Sequence, residues 1–300
     1  MIFSVEEKII FKGLPENIGD FCLWIPYPVN DHWQTVEDLK LTTSFERMIL
    51  TDKRYGNKIV FLKSKDRRLG RNLTQVILSF KVRRKECRVS GNTIGYERAP
   101  AYFLKSGRLV PVNKEMRRLA LEIVSGKKDE LGRVRAIYDY IIDELTYSKD
   151  DPKICGIGNP ILTLKHKKGI CTDYHSLFIS LVRSLGIPAK FEIGFKIPPD
   201  KIEGGLNGYH CWAKFYLKGR GWIPVDISEA DKHPEKKDYY FGALDENKVH
   251  LTTGRDIRLK YAKDNQPLNF FVYPYAELNG RRFDNIEIKV SFKEEIPRSQ

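Results

Sequence analysis

Long apolar runs are missing from this chain of 300 residues. No stretch reaches the roughly 18 consecutive apolar residues that a membrane-spanning helix needs. The opening segment, MIFSVEEKIIFKGLPE, also lacks a signal-peptide core. Glu6, Glu7 and Lys8 interrupt any apolar region there, and no small-residue cleavage site follows. If the chain is complete, the expectation is a cytoplasmic protein. Cysteine is scarce too. Its five occurrences, Cys22, Cys87, Cys155, Cys171 and Cys211, are odd in number and widely spaced. That argues against a disulfide framework and for a reducing compartment. No Cys-x-x-Cys pair is present, which speaks against a structural zinc site. Negative charge is short by comparison: 52 Lys and Arg stand against 39 Asp and Glu, a net charge of +13. Most of that excess lies in one window. Residues 53–88 hold thirteen Lys or Arg against Asp66 and Glu86, so the basic character belongs to one region.

What is present suits a globular protein with a sizeable core: 41% of residues are hydrophobic and 12% aromatic. The length allows one large domain or two small ones. Residues 1–108 read as a β-rich, sandwich-like domain. Phe21 to Ile25, Lys58 to Leu62 and Thr74 to Val82 cluster or alternate as strands do, and Pro26, Pro28, Gly56, Gly70 and Gly91 punctuate them. The pattern changes near Ser106-Gly107-Arg108, where a second unit, 109–300, begins. Glu115 to Val124 carries Leu119, Ala120, Ile123 and Val124 at helical spacing and stops at Ser125-Gly126. Asp129 then caps a helix running to about Leu145, with Val134, Ile137, Tyr138, Ile141 and Leu145 on one face. A loop with Asp151-Pro152, Gly156, Gly158 and Pro160 follows. Gly169-Ile170-Cys171 opens a third helix, striped by Leu177, Phe178, Leu181, Val182 and Leu185 and ended by Gly186. Strands are expected at Lys190 to Phe195, Tyr209 to Leu217 and Gly221 to Ile227, with closing strands at Phe270 to Val272 and Ile286 to Phe292.

One constellation carries chemistry. Cys171 sits where a helix begins, and the unpaired N–H groups and positive dipole end there favour a thiolate, the useful nucleophile. The turn at Lys218-Gly219-Arg220 sets a hairpin in which residues whose numbers sum to about 437 to 439 face each other. His210 then lies opposite or nearly opposite Asp226. Facing side chains on one sheet surface are about 5 Å apart, the spacing an imidazole and an orienting carboxylate need. A helix packed on that sheet can bring Cys171 to the imidazole. Cys211 follows His210, points to the opposite face and reads as core. Trp212 shares the His210 face and reads either as a wall against water or as core.

These residues resemble the transglutaminase-like superfamily. The runs GICTDYHSLFISLVRSLGIPAKFEIGF and GYHCWAKFYLKGRGWIPVDIS contain, in order, a helix-opening Gly-x-Cys, a Leu-Gly-Ile-Pro-Ala turn, a His-x-Trp strand and a Gly-Trp-x-x-x-Asp strand. The match covers about 110 to 230. LWIPYP, GRDIRL and PLNFFVYPYAE resemble, more loosely, bacterial and archaeal members with a β-rich leading domain. The resemblance implies an α+β, papain-like core with a helix-borne Cys on an antiparallel sheet, and a Cys–His–Asp triad at Cys171, His210 and Asp226. Superfamily members include transglutaminases, peptide hydrolases and peptide N-glycanases, and the name does not choose among them.

The expected reaction is thiol attack on an amide carbonyl, followed by transfer of the thioester to water or to a lysine amine. The oxyanion needs two donors. The Cys171 N–H is one, and Tyr147, similar in position to a family tyrosine, is the candidate for the other; a partly buried core tyrosine is the competing reading. No acidic calcium loop is present, so metal-independent hydrolysis of a peptide or isopeptide bond is favoured, with no cofactor. Cys171 and His175 lie four apart on one helical face, and with His210 they suggest a metal site. The triad explains the same residues without one, which leaves His175 as a packing or helix-surface residue. Two further functions compete. The clusters Lys63, Lys65, Arg67, Arg68, Arg71 and Lys81, Arg83, Arg84, Lys85, Arg88 could bind nucleic acid or another anionic partner, although no nucleic-acid motif accompanies them. A non-catalytic scaffold recruiting a partner through the β-rich region is the other.

Overall fold

Alternation governs the first strand: Phe3, Val5, Glu7, Ile9 and Phe11 are buried and the residues between them less so, the period of two that one covered sheet face imposes. The computed structural model describes residues 1–15, 19–64, 75–89, 99–264 and 266–295. Six strands come first: β1 (Ile2–Phe11), β2 (Phe21–Pro26), β3 (Gln34–Thr42), β4 (Glu46–Thr51), β5 (Lys58–Lys63) and β6 (Gln75–Arg84), with the short β7 (Cys87–Arg88) after them. Helices α1 (Lys114–Ile123) and α2 (Glu130–Glu144) follow, then β8 (Thr146–Tyr147), α3 (Pro160–His166), β9 (Lys168–Gly169) and α4 (Cys171–Ser184). Strands β10 (Ala189–Lys196), β11 (Glu203–Leu206), β12 (His210–Leu217) and β13 (Gly221–Val225) lead into α5 (Ile227–Lys232). The chain closes with β14 (Ala243–Leu244), β15 (Lys248–Thr253), β16 (Tyr275–Leu278), β17 (Arg281–Arg282) and β18 (Ile286–Glu294).

Two five-stranded sheets, β11-β18-β1-β6-β3 and β17-β16-β2-β5-β4, join the two ends of the chain. β18 runs along β1 from Phe3 opposite Glu294 to Phe11 opposite Ile286. β16 pairs with β2. The early strands therefore share both sheets with strands from beyond residue 200. A four-stranded antiparallel sheet, β13-β12-β10-β15, carries α4 on one face. The fold is α+β, with mostly antiparallel sheets.

α4 is buried on every side. The expected apolar stripe faces its neighbours, with Phe178 against Phe215 of β12 at 6.2 Å between ring centroids. Its polar side is covered as well, because α1, α2 and α3 lie against it. The covered polar groups are paired locally, as burial demands. Ser176 Oγ donates to the Thr172 carbonyl at 2.6 Å and Ser184 Oγ to that of Ser180 at 2.8 Å. Arg183 donates to the carbonyls of Ala189 and Lys105.

Boundary signals act as the chemistry predicts. Asp129 caps α2 by accepting the Gly132 N–H at 2.9 Å, and Gly186 takes a φ of +82° just past α4. Three segments differ from expectation. Phe270 to Val272, expected as a closing strand, lies outside any strand, with Phe271 and Val272 buried ahead of β16. The Gly- and Pro-rich loop ends early because Asn159 caps α3 with Pro160 in its first turn, where a missing N–H costs nothing. The strand expected to reach Ile227 stops at Val225, since Asp226 leaves it to cap α5.

Of the basic residues singled out, Lys65, Arg67, Arg68 and Arg71 lie outside the described residues. Lys63 pairs with Asp20, Lys81 with Asp38, Arg83 with Glu37 and Arg88 with Glu86. Arg84 is buried. The second cluster is thus no continuous solvated stripe. Cross-strand acids on β3 answer two of its members, and strand alternation turns Arg84 inward.

Candidate active site

Gly169 and Asp173 build the helix start. A Cβ at Gly169 would stand 2.5 Å from the Cβ of Asp173, so no larger residue fits at this step. Asp173, in the first turn of α4, reaches back to accept the Ile170 N–H at 2.8 Å. It also accepts the N–H groups of Gly156 at 2.6 Å and Gly158 at 2.7 Å. This carboxylate fastens the preceding loop to the helix, a role the sequence reading missed. An acid two residues after a helix-opening cysteine is the signal that could have found it. Arg255 braces the same loop through the carbonyls of Ile157 and Gly158. Cys171 is the first helical residue, and its N–H and that of Thr172 have no backbone acceptor among the described residues.

His210 opens β12, opposite Gly194 of β10. Its Nε2 lies 2.7 Å from Asp226 Oδ2. The hairpin register falls in the expected range, with Leu217 facing Gly221 and Ala213 facing Val225. His210 and Asp226 are not a facing pair, however. Both lie past the last paired rung, and they meet diagonally because Asp226 turns out of the strand to cap α5. There its Oδ1 accepts from the Glu229 N–H and the Ser228 hydroxyl, each at 3.2 Å. Lys248, fully buried on β15, places Nζ 3.5 Å from Asp226 Oδ2 and 2.5 Å from Asp245 Oδ2.

The charges follow from these contacts. The Cys171 thiol is held well below its ordinary range by a hydrogen bond from Cys211; burial opposes this, and the hydrogen bond and charge of His210 add to it. Burial works against a charged His210, but Asp226 and Cys171 outweigh it and raise the imidazole to about 9. Burial likewise opposes ionised Asp226, which His210 and Lys248 hold well below the carboxylate range. The favoured state near neutrality is a thiolate–imidazolium pair over a carboxylate.

His175 is neither a surface nor a metal-facing residue. It is fully buried. Its Nδ1 stands 2.7 Å from the Cys171 carbonyl oxygen, and its Nε2 accepts the Ile227 N–H at 3.0 Å. Burial lowers its pKa. A neutral ring protonated on Nδ1 satisfies both contacts and ties the Cys171 backbone to the residue after Asp226. Both ring nitrogens are spent on backbone, which leaves none for a metal.

Tyr147 stands beside Gly169 in the β8–β9 pair. Its ring lies 3.9 Å from Lys232 Nζ, and its hydroxyl is pushed up by burial and then by the nearby Cys171. The Tyr209 hydroxyl, not singled out from the sequence, lies 2.9 Å from Thr172 Oγ1. Trp212 is buried with its ring centroid 6.3 Å from that of His210, and its Nε1 donates to Glu192 Oε2 at 2.8 Å.

Residues 117–227, the segment that holds all three of these polar groups, match the transglutaminase-like superfamily. The chain therefore carries a transglutaminase-like segment over these residues. An uncharacterized protein of Haemophilus influenzae is 27% identical over 319 residues, covering 91% of this chain and 86% of that one. The Bacillus subtilis protein YebA is 25% identical over 183 residues, which span 50% of this chain and 25% of YebA. Among solved structures, a candidate cysteine protease from Cytophaga hutchinsonii superposes with a TM-score of 0.61 at 18% identity, covering 97% of this chain and 90% of that one; this likeness is one of fold. The periplasmic domain of TgpA from Pseudomonas aeruginosa matches with a TM-score of 0.40 at 17% identity, over 77% of this chain and 91% of that one. No helix among the described residues is long and apolar enough to cross a membrane.

Proposed function

We propose that this protein is a cysteine-dependent amide hydrolase acting on peptide or isopeptide bonds, with Cys171 as nucleophile, His210 as acid and base, and Asp226 as orienter. The observation that carries the reading is the 2.7 Å contact from His210 Nε2 to Asp226, which leaves the other ring nitrogen for the cysteine. In this scheme the Cys171 thiolate attacks the carbonyl carbon, and the Cys171 N–H and the Tyr147 hydroxyl receive the oxyanion. His210 protonates the leaving amine, a thioester forms, and His210 then takes a proton from the water that releases the acid. Water is the acceptor in this reading. Transfer to a protein amine is the finer alternative.

The test is iodoacetamide labelling of the native protein across about pH 5 to 9, read by peptide mass spectrometry, with His210→Ala alongside. The reading requires Cys171 to react far faster than Cys22 and Cys87, to stay reactive below neutral pH, and to lose this in the variant. Equal labelling of the three cysteines would overturn it. Casein incubated with a fluorescent primary amine then separates the acceptors: new peptide termini mean hydrolysis, and fluorescence fixed on glutamine means transfer.

A further inference from the structure

Cys211 has no part in the scheme above, yet it does not sit in ordinary core. Strand alternation turns it away from the His210 row and toward α4, where it is fully buried, while Cys171 is 3% exposed. Its Sγ lies 3.7 Å from His175 Nδ1 and 3.9 Å from Thr172 Oγ1. Both atoms belong to the turn of α4 that Cys171 begins, and that same His175 Nδ1 is 2.7 Å from the Cys171 carbonyl oxygen. The two thiols thus stand at the same first turn of α4, and each bears on the other's charge. No other cysteine is placed like this: Cys22 lies on β2, Cys87 on β7 and Cys155 in the loop before α3.

We propose that Cys171 and Cys211 form a reversible oxidation site whose reactant is a hydroperoxide. The Cys171 thiolate attacks one oxygen of hydrogen peroxide, so that an S–O bond forms as the O–O bond breaks. The departing hydroxide takes the imidazolium proton of His210 and leaves as water. Cys171 is then a sulfenic acid, oxidised by two electrons that the peroxide has gained. The Cys211 sulfur next attacks the Cys171 sulfur. The S–S bond forms, the S–O bond breaks, and the leaving hydroxide carries off the Cys211 thiol proton as a second water. A sulfenic acid left alone advances to the irreversible sulfinic acid, whereas a neighbouring thiol captures it first. The inference depends on the reactivity of Cys171 and not on which acyl acceptor the site uses.

The experiment treats the full chain with hydrogen peroxide, alkylates the remaining thiols, and maps the unreduced peptides by mass spectrometry. The expected product is a linked pair of peptides containing Cys171 and Cys211, two hydrogens lighter than their sum. Alkylation of Cys171 falls to background and returns in full after dithiothreitol. In Cys211→Ser, Cys171 instead gains two or three oxygens, and its alkylation does not return. The wild-type map decides alone if that variant fails to fold. Cys171 carrying sulfinic acid with no link to Cys211, a link from Cys171 to Cys22, Cys87 or Cys155, or an unmodified Cys171 would each overturn the proposal.

Discussion

Two buried ionic clusters share the β10–β12–β15 sheet, and Trp212 touches both. One is Cys171, His210 and Asp226 with Lys248. The other centres on Glu192, which lies 3.0 Å from Lys214 Nζ and 2.7 Å from Lys190 Nζ and accepts from Trp212 Nε1 at 2.8 Å. Register explains the second cluster: Glu192 faces Trp212, and Lys190 faces Lys214. Burial opposes the Glu192 charge, but the two lysines hold its carboxyl well below the usual range. Its carboxylate therefore stays charged through neutrality, while burial lowers Lys190 against the pull of Glu192. In the first cluster the thiol is lowered and the imidazole raised, so one proton has two sites between which it can pass. Buried charge alone thus does not mark chemistry; a proton with two homes does.

The sharpest way to break this comparison is to remove one carboxylate from each cluster. Asp226→Asn keeps a side chain that caps α5 well but presents the wrong partner to the imidazole. Amide hydrolysis should fall by about 10²–10⁴-fold, with the smaller loss of stability, because Lys248 keeps Asp245 and the imidazole can shed its proton. Glu192→Gln should do the reverse. It leaves two lysines without their counter-ion and should cost roughly 3–5 kcal/mol of stability in denaturant titration, while Cys171 labelling in the folded fraction keeps its pH profile. If the effects are exchanged, the assignment of roles is wrong.

How much of this was legible in the sequence depends on the range of each signal. Helix caps, stripes and the hairpin turn are local, so α1, α2, α4 and the β12–β13 register could be read from Asp129, Gly186 and Gly219. The closure of both large sheets by β16 and β18 pairs residues more than two hundred positions apart, and no local pattern announces that. At the site, the helix-opening cysteine and the hairpin led to Cys171, His210 and Asp226 as candidates. Lys248 and His175 remained hidden because their meaning comes from what packs beside them. Cys211 shows the limit most clearly. Alternation correctly turns it from the His210 face, but the face it joins is the one that α4 brings to Cys171.

A second contrast separates two readouts of the first cluster. Labelling needs only the Cys171 thiolate, whereas hydrolysis also needs protonated His210 to release the amine. His210 titrates at about 9, above its ordinary value, so its proton is held through neutrality and lost as pH rises through that point. Hydrolysis should therefore fall about tenfold per unit above pH ~9, while labelling stays on its plateau. Parallel curves would mean that the imidazolium is not the acid.

The smallest effect probes how Asp226 is shared. Lys248 lies 3.5 Å from the oxygen that also faces His210, so its positive charge competes with the imidazolium for the same carboxylate. Lys248→Met removes that competitor and leaves Asp245 uncompensated nearby. Both changes favour a protonated ring, so the alkaline limb of hydrolysis should move to higher pH, by less than about one unit given the solvent that reaches Asp245. The rate on the plateau should change only a few-fold, since the contact between His210 and Asp226 remains. Movement of the limb to lower pH would mean that Lys248 serves chiefly to keep Asp226 aligned, and that the ring loses its partner when the lysine is gone.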